Sequence, residues 1–178
     1  MSPAAVNTAP LSLRERLDGA RLLVMGGTGF LGKVFVGLML DRYPDVAHIW
    51  LVVRPRKRKD GSYRLTSEQR FWKEVAASPV FDPLREKYPG AAFDAFMKEK
   101  ITPIEGDITE PYAGVPQAVR DELRGTLTAF CNVAGVVDFF PPLDYALKAN
   151  AFGMQNLVAL SQALGVPVSL LDRLGHLL

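Results

Sequence analysis

The sequence is short of several things, and each shortage removes a class of protein. It has one cysteine, Cys131, which cannot close an internal disulfide; this excludes a disulfide-stapled secreted scaffold and suits a reducing cytoplasm. A formal net charge of only +2 excludes a nucleic-acid coat, so any anion must be bound locally. No apolar stretch approaches the roughly 20 residues that a membrane helix requires. The opening residues, MSPAAVNTAP, have neither a basic start nor a long apolar run, so no secretory signal is read there. Internal repeats and low-complexity linkers are also missing. The expectation is a cytoplasmic protein without a membrane span, and with neither nucleic acid nor metal as a partner.

What is present fits one ordinary domain. The chain has 178 residues, 48% of them hydrophobic and 22% charged. At this length, burial on folding reaches about 70% of the surface. Residues 1–11 read as a flexible leader, 12–168 as the domain, and 169–178 as a divergent or truncated tail. Ser12 offers an N-cap for a short helix, Leu13 to Leu17, closed by Gly19. Arg21 to Met25 is a short apolar run and reads as a buried strand. Apolar positions then recur at helical spacing from Phe30 to Tyr43, until Pro44 ends the pattern. His48 to Val53, β-branched and aromatic, is a second strand. Strand, helix, strand is a βαβ unit, which implies a parallel sheet with a right-handed crossover.

Residues 54–100 are charged and broken by Gly61, Pro79, Pro83 and Pro89, with short helices expected at Thr66–Ala77 and Ala91–Lys98. Lys100 to Glu105 reads as a third strand. Pro103 cannot donate to a ladder, so this strand belongs on an edge, where the order 3-2-1-4 places it. Thr126 to Val133 is the fourth strand, Leu143 to Leu164 a long helix, and Pro167 to Leu171 the start of a fifth strand. The predicted fold class is α/β: a Rossmann-type doubly wound parallel sheet, truncated after about the fifth strand. Such a half-sheet is expected to leave strand four with little or no partner, and to be poorly soluble through its exposed apolar edge.

Between the first strand and the first long helix lies MGGTGFLG: Gly26, Gly27, Thr28, Gly29, Phe30, Leu31 and Gly32. Glycine at positions 26, 29 and 32 lets the backbone turn tightly, approach a pyrophosphate and seat the helix against the sheet. The helix N-terminus then offers free N–H groups and positive partial charge to the phosphates. The alternative is a bare tight turn, but the flanking strand, helix and second strand are the context that a dinucleotide motif requires. After the second strand, an acid would contact the ribose 2′-hydroxyl of NAD, whereas arginine accommodates the 2′-phosphate of NADP. Here Arg54 ends that strand, and no acid appears before Asp60. Arg54 is therefore assigned to the phosphate. Arg56 to Lys59 read as a solvated loop, and Arg64 as a second phosphate or adenine contact. After strand three, Asp107 either hydrogen-bonds the adenine amine, with Ile108 packed on the ring, or closes an Asx turn. After strand four, the small residues of Val133-Ala134-Gly135 either admit the cofactor or pack against the next helix.

These residues resemble the extended short-chain dehydrogenase/reductase superfamily, and within it the fatty acyl-CoA reductase (male sterility) and thioester-reductase branch. The resemblance rests on Leu17-Asp18-Gly19, the run Gly26 to Lys33, Leu51 to Arg54, Gly106-Asp107-Ile108-Thr109, and Asn150 in Asn150-Ala151-Phe152-Gly153, with Phe71 and Trp72 on the insert. It covers residues 12–168. It implies NADPH as cofactor and an acyl-CoA or carrier-bound acyl thioester as substrate, reduced to aldehyde or alcohol. It also implies cofactor contacts at Thr28, Gly29, Phe30, Leu31, Arg54, Arg64, Asp107, Ile108, Val133, Ala134 and Gly135. Met25 stands where the family commonly has threonine, and NVAG where a paired alanine is more usual.

Reductases of this superfamily carry their proton donor in a Tyr-x-x-x-Lys pair. Four residues after Tyr43, Tyr63, Tyr88, Tyr112 and Tyr145 come Ala47, Ser67, Ala92, Pro116 and Ala149, and Lys148 lies three residues past Tyr145. No catalytic residue is assigned, and His176 is read as incidental. The expectation is either a product cut near Val168 or part of a longer protein. Two other functions remain open: a non-catalytic NADPH-binding module, and a nucleotide-sugar epimerase or dehydratase on the same fold.

Overall fold

The two apolar runs of the βαβ unit become the centre of a sheet. In a computed structural model, which describes residues 12–135 and 140–166, the chain enters through α1 (Leu13–Leu17), where the Ser12 hydroxyl accepts the Glu15 amide. β1 (Arg21–Met25) follows, then α2 (Phe30–Arg42) and β2 (His48–Val53), which lies parallel to β1 with Arg21 opposite His48 and Met25 opposite Val52.

The charged insert holds more structure than its composition suggests. β3 (Arg56–Lys57) and β4 (Tyr63–Leu65) form a small antiparallel hairpin that the sequence reading left as a solvated loop. α3 (Ser67–Arg70) opens with a capping box between Thr66 and Gln69, then widens into a π turn over Phe71–Ala76. α4 (Asp82–Lys87) and α5 (Ala91–Lys100) lead to β5 (Ile101–Glu105). α6 (Gln117–Leu123), also unread in the sequence, precedes β6 (Ala129–Asn132). α7 (Leu143–Ala146), a π segment at Leu147–Phe152 and α8 (Gly153–Leu164) together make the expected long helix.

The main sheet has the order β5-β2-β1-β6 and all of its pairs are parallel. Pro103 therefore sits on an edge strand, opposite Leu51, where its missing N–H costs no second ladder. One expectation is corrected. Strand four has a partner, because β6 runs along β1 from Leu22 opposite Ala129 to Met25 opposite Asn132. It is also shorter than Thr126–Val133: at Thr128 the backbone amide still donates to the Arg21 carbonyl, at 2.8 Å, but the Arg21 amide is accepted by the Thr128 hydroxyl, at 3.0 Å, rather than by a backbone carbonyl. The leader, the predicted fifth strand at Pro167–Leu171 and the tail lie outside the described residues.

Both faces of the sheet are covered, which is why its strands read as unbroken apolar runs rather than alternating ones. Leu22, Val24, Ile49, Leu51 and Val53 pack on one side with Val36 and Leu40 of α2 and with Phe71, Phe81 and Met97 of the insert. Leu23, Met25, Trp50, Val52 and Phe130 pack on the other, against Leu157, Leu160 and Leu164 of α8. This double layer fixes the strand ends, and the strand ends form the site.

Candidate functional site

The carboxyl ends of β1, β2, β5 and β6 open onto one cleft of about 220 Å³, the place where open parallel sheets receive ligands. Its floor is the glycine turn. Gly26 has φ +86°, and a Cβ there would stand 2.5 Å from the Ala134 amide nitrogen. A Cβ on Gly32 would stand 2.2 Å from the Gly26 carbonyl oxygen, so the first turn of α2 can seat on the loop only without one. The space released by Gly26 is thus taken by the chain itself. Room is left at Gly29, where a Cβ would meet only the Gly26 carbonyl, at 3.4 Å.

Gly29 is also the N-cap of α2, and no side chain caps that helix. Its first-turn amides therefore lack the side-chain partner that most helix starts acquire from their own sequence, and its N-cap lines the cleft beside Thr28. A dinucleotide phosphate fits this turn on that ground. Gly26, Thr28 and Gly29 line the cleft, whereas Gly27 packs under Leu51 and Gly32 is buried behind the loop. The Phe30 and Leu31 side chains are exposed and do not line it.

The second wall comes from β2 and β5. The Arg54 side chain, 55% exposed, reaches over the cleft to the Asp107 carboxylate at 3.6 Å. Asp107 Oδ1 accepts both the Thr109 amide, at 3.0 Å, and the Thr109 hydroxyl, at 2.9 Å. The Asx turn considered for this residue is therefore present, and Oδ2 is the oxygen turned toward Arg54. Ile108 lines the cleft, and its carbonyl is held by Asn156 of α8 at 2.9 Å. From β6 come Val133, Ala134 and Gly135. The Val133 amide donates to the Met25 carbonyl, and the Asn132 side chain accepts the Ala134 amide, each at 3.0 Å.

Arg64 is not brought to the cleft. It lies on exposed β4, whose neighbouring Tyr63 is hydrogen-bonded to Glu105 of β5 at 2.9 Å. The basic residue that does line the cleft is Arg70, whose side chain is only 14% exposed. Its Nη1 donates to the Arg54 carbonyl at 2.7 Å and its Nε to Glu74 at 2.9 Å. Glu74 also pairs with Arg56 at 2.9 Å. Burial pushes the Glu74 carboxyl up, but hydrogen bonds from Arg70 and Arg56 outweigh it and hold the group below its ordinary value. Arg70 is not legible as a cleft residue in the sequence because a hairpin intervenes between it and Arg54. The available signal was an arginine in the first turn of the helix that follows the second strand. Tyr145 and Ala149 were missed as well; both line the cleft from the helix after β6.

Burial pushes the Cys131 thiol on β6 up to about 11, which keeps it protonated near neutral pH. Among the described residues, no three histidine, cysteine, aspartate or glutamate side chains converge to hold a metal. No described helix is long and apolar enough to cross a membrane. The arrangement is suited to binding a phosphorylated ligand.

Comparison with known proteins agrees with this geometry. Residues 24–170 match an NAD-binding family model described as Male sterility protein. Fatty acyl-CoA reductase 2, chloroplastic, of Arabidopsis thaliana is 30% identical over 152 residues, which are 85% of this chain and 24% of that protein. Alcohol-forming fatty acyl-CoA reductase of Simmondsia chinensis is 32% identical over 143 residues, 80% of this chain and 28% of that one. The chain thus spans about a quarter of the length of these relatives. A solved structure, the terminal R domain from the myxalamid PKS-NRPS biosynthetic pathway, shares the fold with a TM-score of 0.56 at 22% identity, over 80% of this chain and 31% of that chain. The cofactor class is accordingly a nicotinamide dinucleotide. With the family model matching most of its length, the chain belongs to the Male sterility protein family of NAD-binding domains.

Proposed function

We propose that this chain is the NADPH-binding part of a reductase that converts a fatty acyl-CoA, or a carrier-bound acyl thioester, to the aldehyde or alcohol. The observation that carries the cofactor choice is Arg54: a guanidinium at the end of β2, on the cleft wall, with no acidic residue of the β2 end competing for the ribose. The substrate class is carried over from the relatives named above, which are fatty acyl-CoA reductases.

In this reading the α2 N-terminus and Thr28 hold the pyrophosphate, and Arg54 takes the 2′-phosphate, with Arg70 rather than Arg64 as the second guanidinium on that wall. Asp107 exchanges its contact with Arg54 for the adenine amine, Ile108 packs on the ring, and Val133, Ala134 and Gly135 carry the dinucleotide toward the β6 end. When bound, NADPH supplies the hydride. No tyrosine of this chain has a lysine four residues on. The proton donor is accordingly assigned to residues outside this chain, and the chain alone binds cofactor without turnover. The cytoplasm remains the proposed compartment.

Two measurements test the reading. Replacing Arg54 by alanine weakens NADPH at least about tenfold, the loss of a charge-assisted contact, and leaves NADH nearly unchanged; equal losses would sink the assignment. The full-length protein oxidises NADPH when given palmitoyl-CoA. Turnover of a nucleotide sugar instead would move it to another class on the same fold.

A further inference from the structure

The backbone that carries Arg54 is held from outside the sheet. β2 ends its ladder at Val53, opposite Glu105. The chain then makes the hairpin excursion and returns at Ser67, whose buried hydroxyl donates to the Val53 carbonyl at 2.7 Å. Arg70, one helical turn on, donates to the next carbonyl, that of Arg54, also at 2.7 Å. Ser67 and Arg70 stand at i and i+3, on one face of α3, so a single turn of helix grips two successive carbonyls just where the sheet stops doing so. The grip is independently anchored: the Thr66 hydroxyl accepts the Gln69 amide at 3.2 Å, and the Gln69 side chain accepts the Thr66 amide at 3.1 Å.

We propose that Ser67 is a positioning residue that sets selectivity for the 2′-phosphate, acting through the Val53–Arg54 backbone. The inference rests on the NADPH reading of Arg54 and deepens it. A guanidinium holds phosphate well only when both of its N–H edges meet it, so a small swing of the backbone that carries it loses one bond and keeps the charge. Ser67 suits this role because it is uncharged and 7% exposed: it touches the arginine's backbone and does not line the cleft. Changing it moves Arg54 without altering the potential of the site. Glu74 also bears on this wall, through Arg70 and Arg56, but changing it would alter position and potential together.

The experiment is to titrate the chain separately with NADPH and with NADH, for the wild type, Ser67→Ala and Ser67→Thr. Ser67→Ala weakens NADPH roughly fivefold, the effect of about one neutral hydrogen bond, and leaves NADH within about twofold. Ser67→Thr, which keeps a hydroxyl, retains most of the preference, whereas Ser67→Cys, close in size but a weak donor, loses it as alanine does, which a general loss of packing would not produce. If Ser67→Ala does not fold, Ser67→Cys carries the same expectation. An unchanged NADPH-to-NADH ratio in Ser67→Ala, or equal weakening of both cofactors, overturns the inference while leaving Arg54 its role. A wild type with no preference between the two overturns the NADPH reading itself, and this inference with it.

Discussion

The two walls of the cleft are held in shape by different means. The glycine turn is shaped by backbone against backbone: Gly32 against the Gly26 carbonyl, and Gly26 against Ala134. The wall that carries Arg54 is shaped by side chains against backbone, with Ser67, Arg70 and Glu74 fixing a strand end that has run out of sheet. The first kind of contact tolerates no added atom, since neither neighbour can rotate away. The second tolerates change by degrees, since each hydrogen bond contributes about 1 kcal/mol and others remain when one is lost. In the proposed reading, the pyrophosphate shared by every nicotinamide dinucleotide falls to the rigid wall, and the 2′-phosphate that separates NADPH from NADH to the adjustable one.

This contrast can be broken in several places. The largest effect is expected from Phe71→Ala. Phe71 is fully buried beneath the Arg54 wall, and its loss should cost about 3–5 kcal/mol in chemical denaturation, enough to unfold much of the insert. Gly32→Ala comes next. Its Cβ meets backbone, so the strain should cost about 1–3 kcal/mol and remove NADPH and NADH binding alike, in contrast to the selective loss in Arg54→Ala. Selective loss in Gly32→Ala would show that the turn is not the shared wall.

A pH effect on stability should arise far from both walls. His48 lies at the amino end of β2, with Nδ1 2.9 Å from the Glu99 carbonyl and Nε2 2.9 Å from the Thr102 hydroxyl. The neutral ring satisfies both contacts by donating to the carbonyl and accepting from the hydroxyl. Burial is the main reason its pKa lies below 6.5, and Arg21 and Lys100 push the same way. The unfolded chain thus binds the proton more readily than the folded one. This contribution is fully present above pH 6.5 and declines as pH falls below it toward the lowered folded value. Thermal melts between neutral and mildly acidic pH should show that slope, and His48→Ala should flatten it. The smallest effect is expected from Tyr63→Phe, which removes the exposed bond to Glu105: stability should be nearly unchanged in chemical denaturation, with the cofactor preference intact. A lost preference there would make the hairpin part of the adjustable wall.

Legibility in the sequence divides along the same line. β1 and β2 have the bounds their apolar runs imply, and β5 takes the edge that Pro103 requires, because these depend on burial and on a missing N–H at known positions. The glycine turn was legible for the same reason: spacing alone places three residues without side chains between a strand and a helix. The insert was not. Its hairpin depends on Tyr63 and Lys57 meeting Glu105, and its π turn on Phe71 reaching the core; these partners lie far apart in sequence and leave no period to read. Arg64 was expected at the cleft and Arg70 was not read, because which of them reaches it depends on the fold of the intervening hairpin.

The sequence by itself determined a parallel sheet with a glycine-rich turn after its first strand and an arginine at the end of its second, since hydrophobic period, glycine spacing and strand order are local or nearly local quantities. Only the tertiary structure decided which further cation stands beside Arg54, that Asp107 is shared between an Asx turn and that arginine, and that one buried hydroxyl holds the strand end. Those are long-range contacts between polar side chains and backbone, and their geometry exists only after the apolar layers have packed.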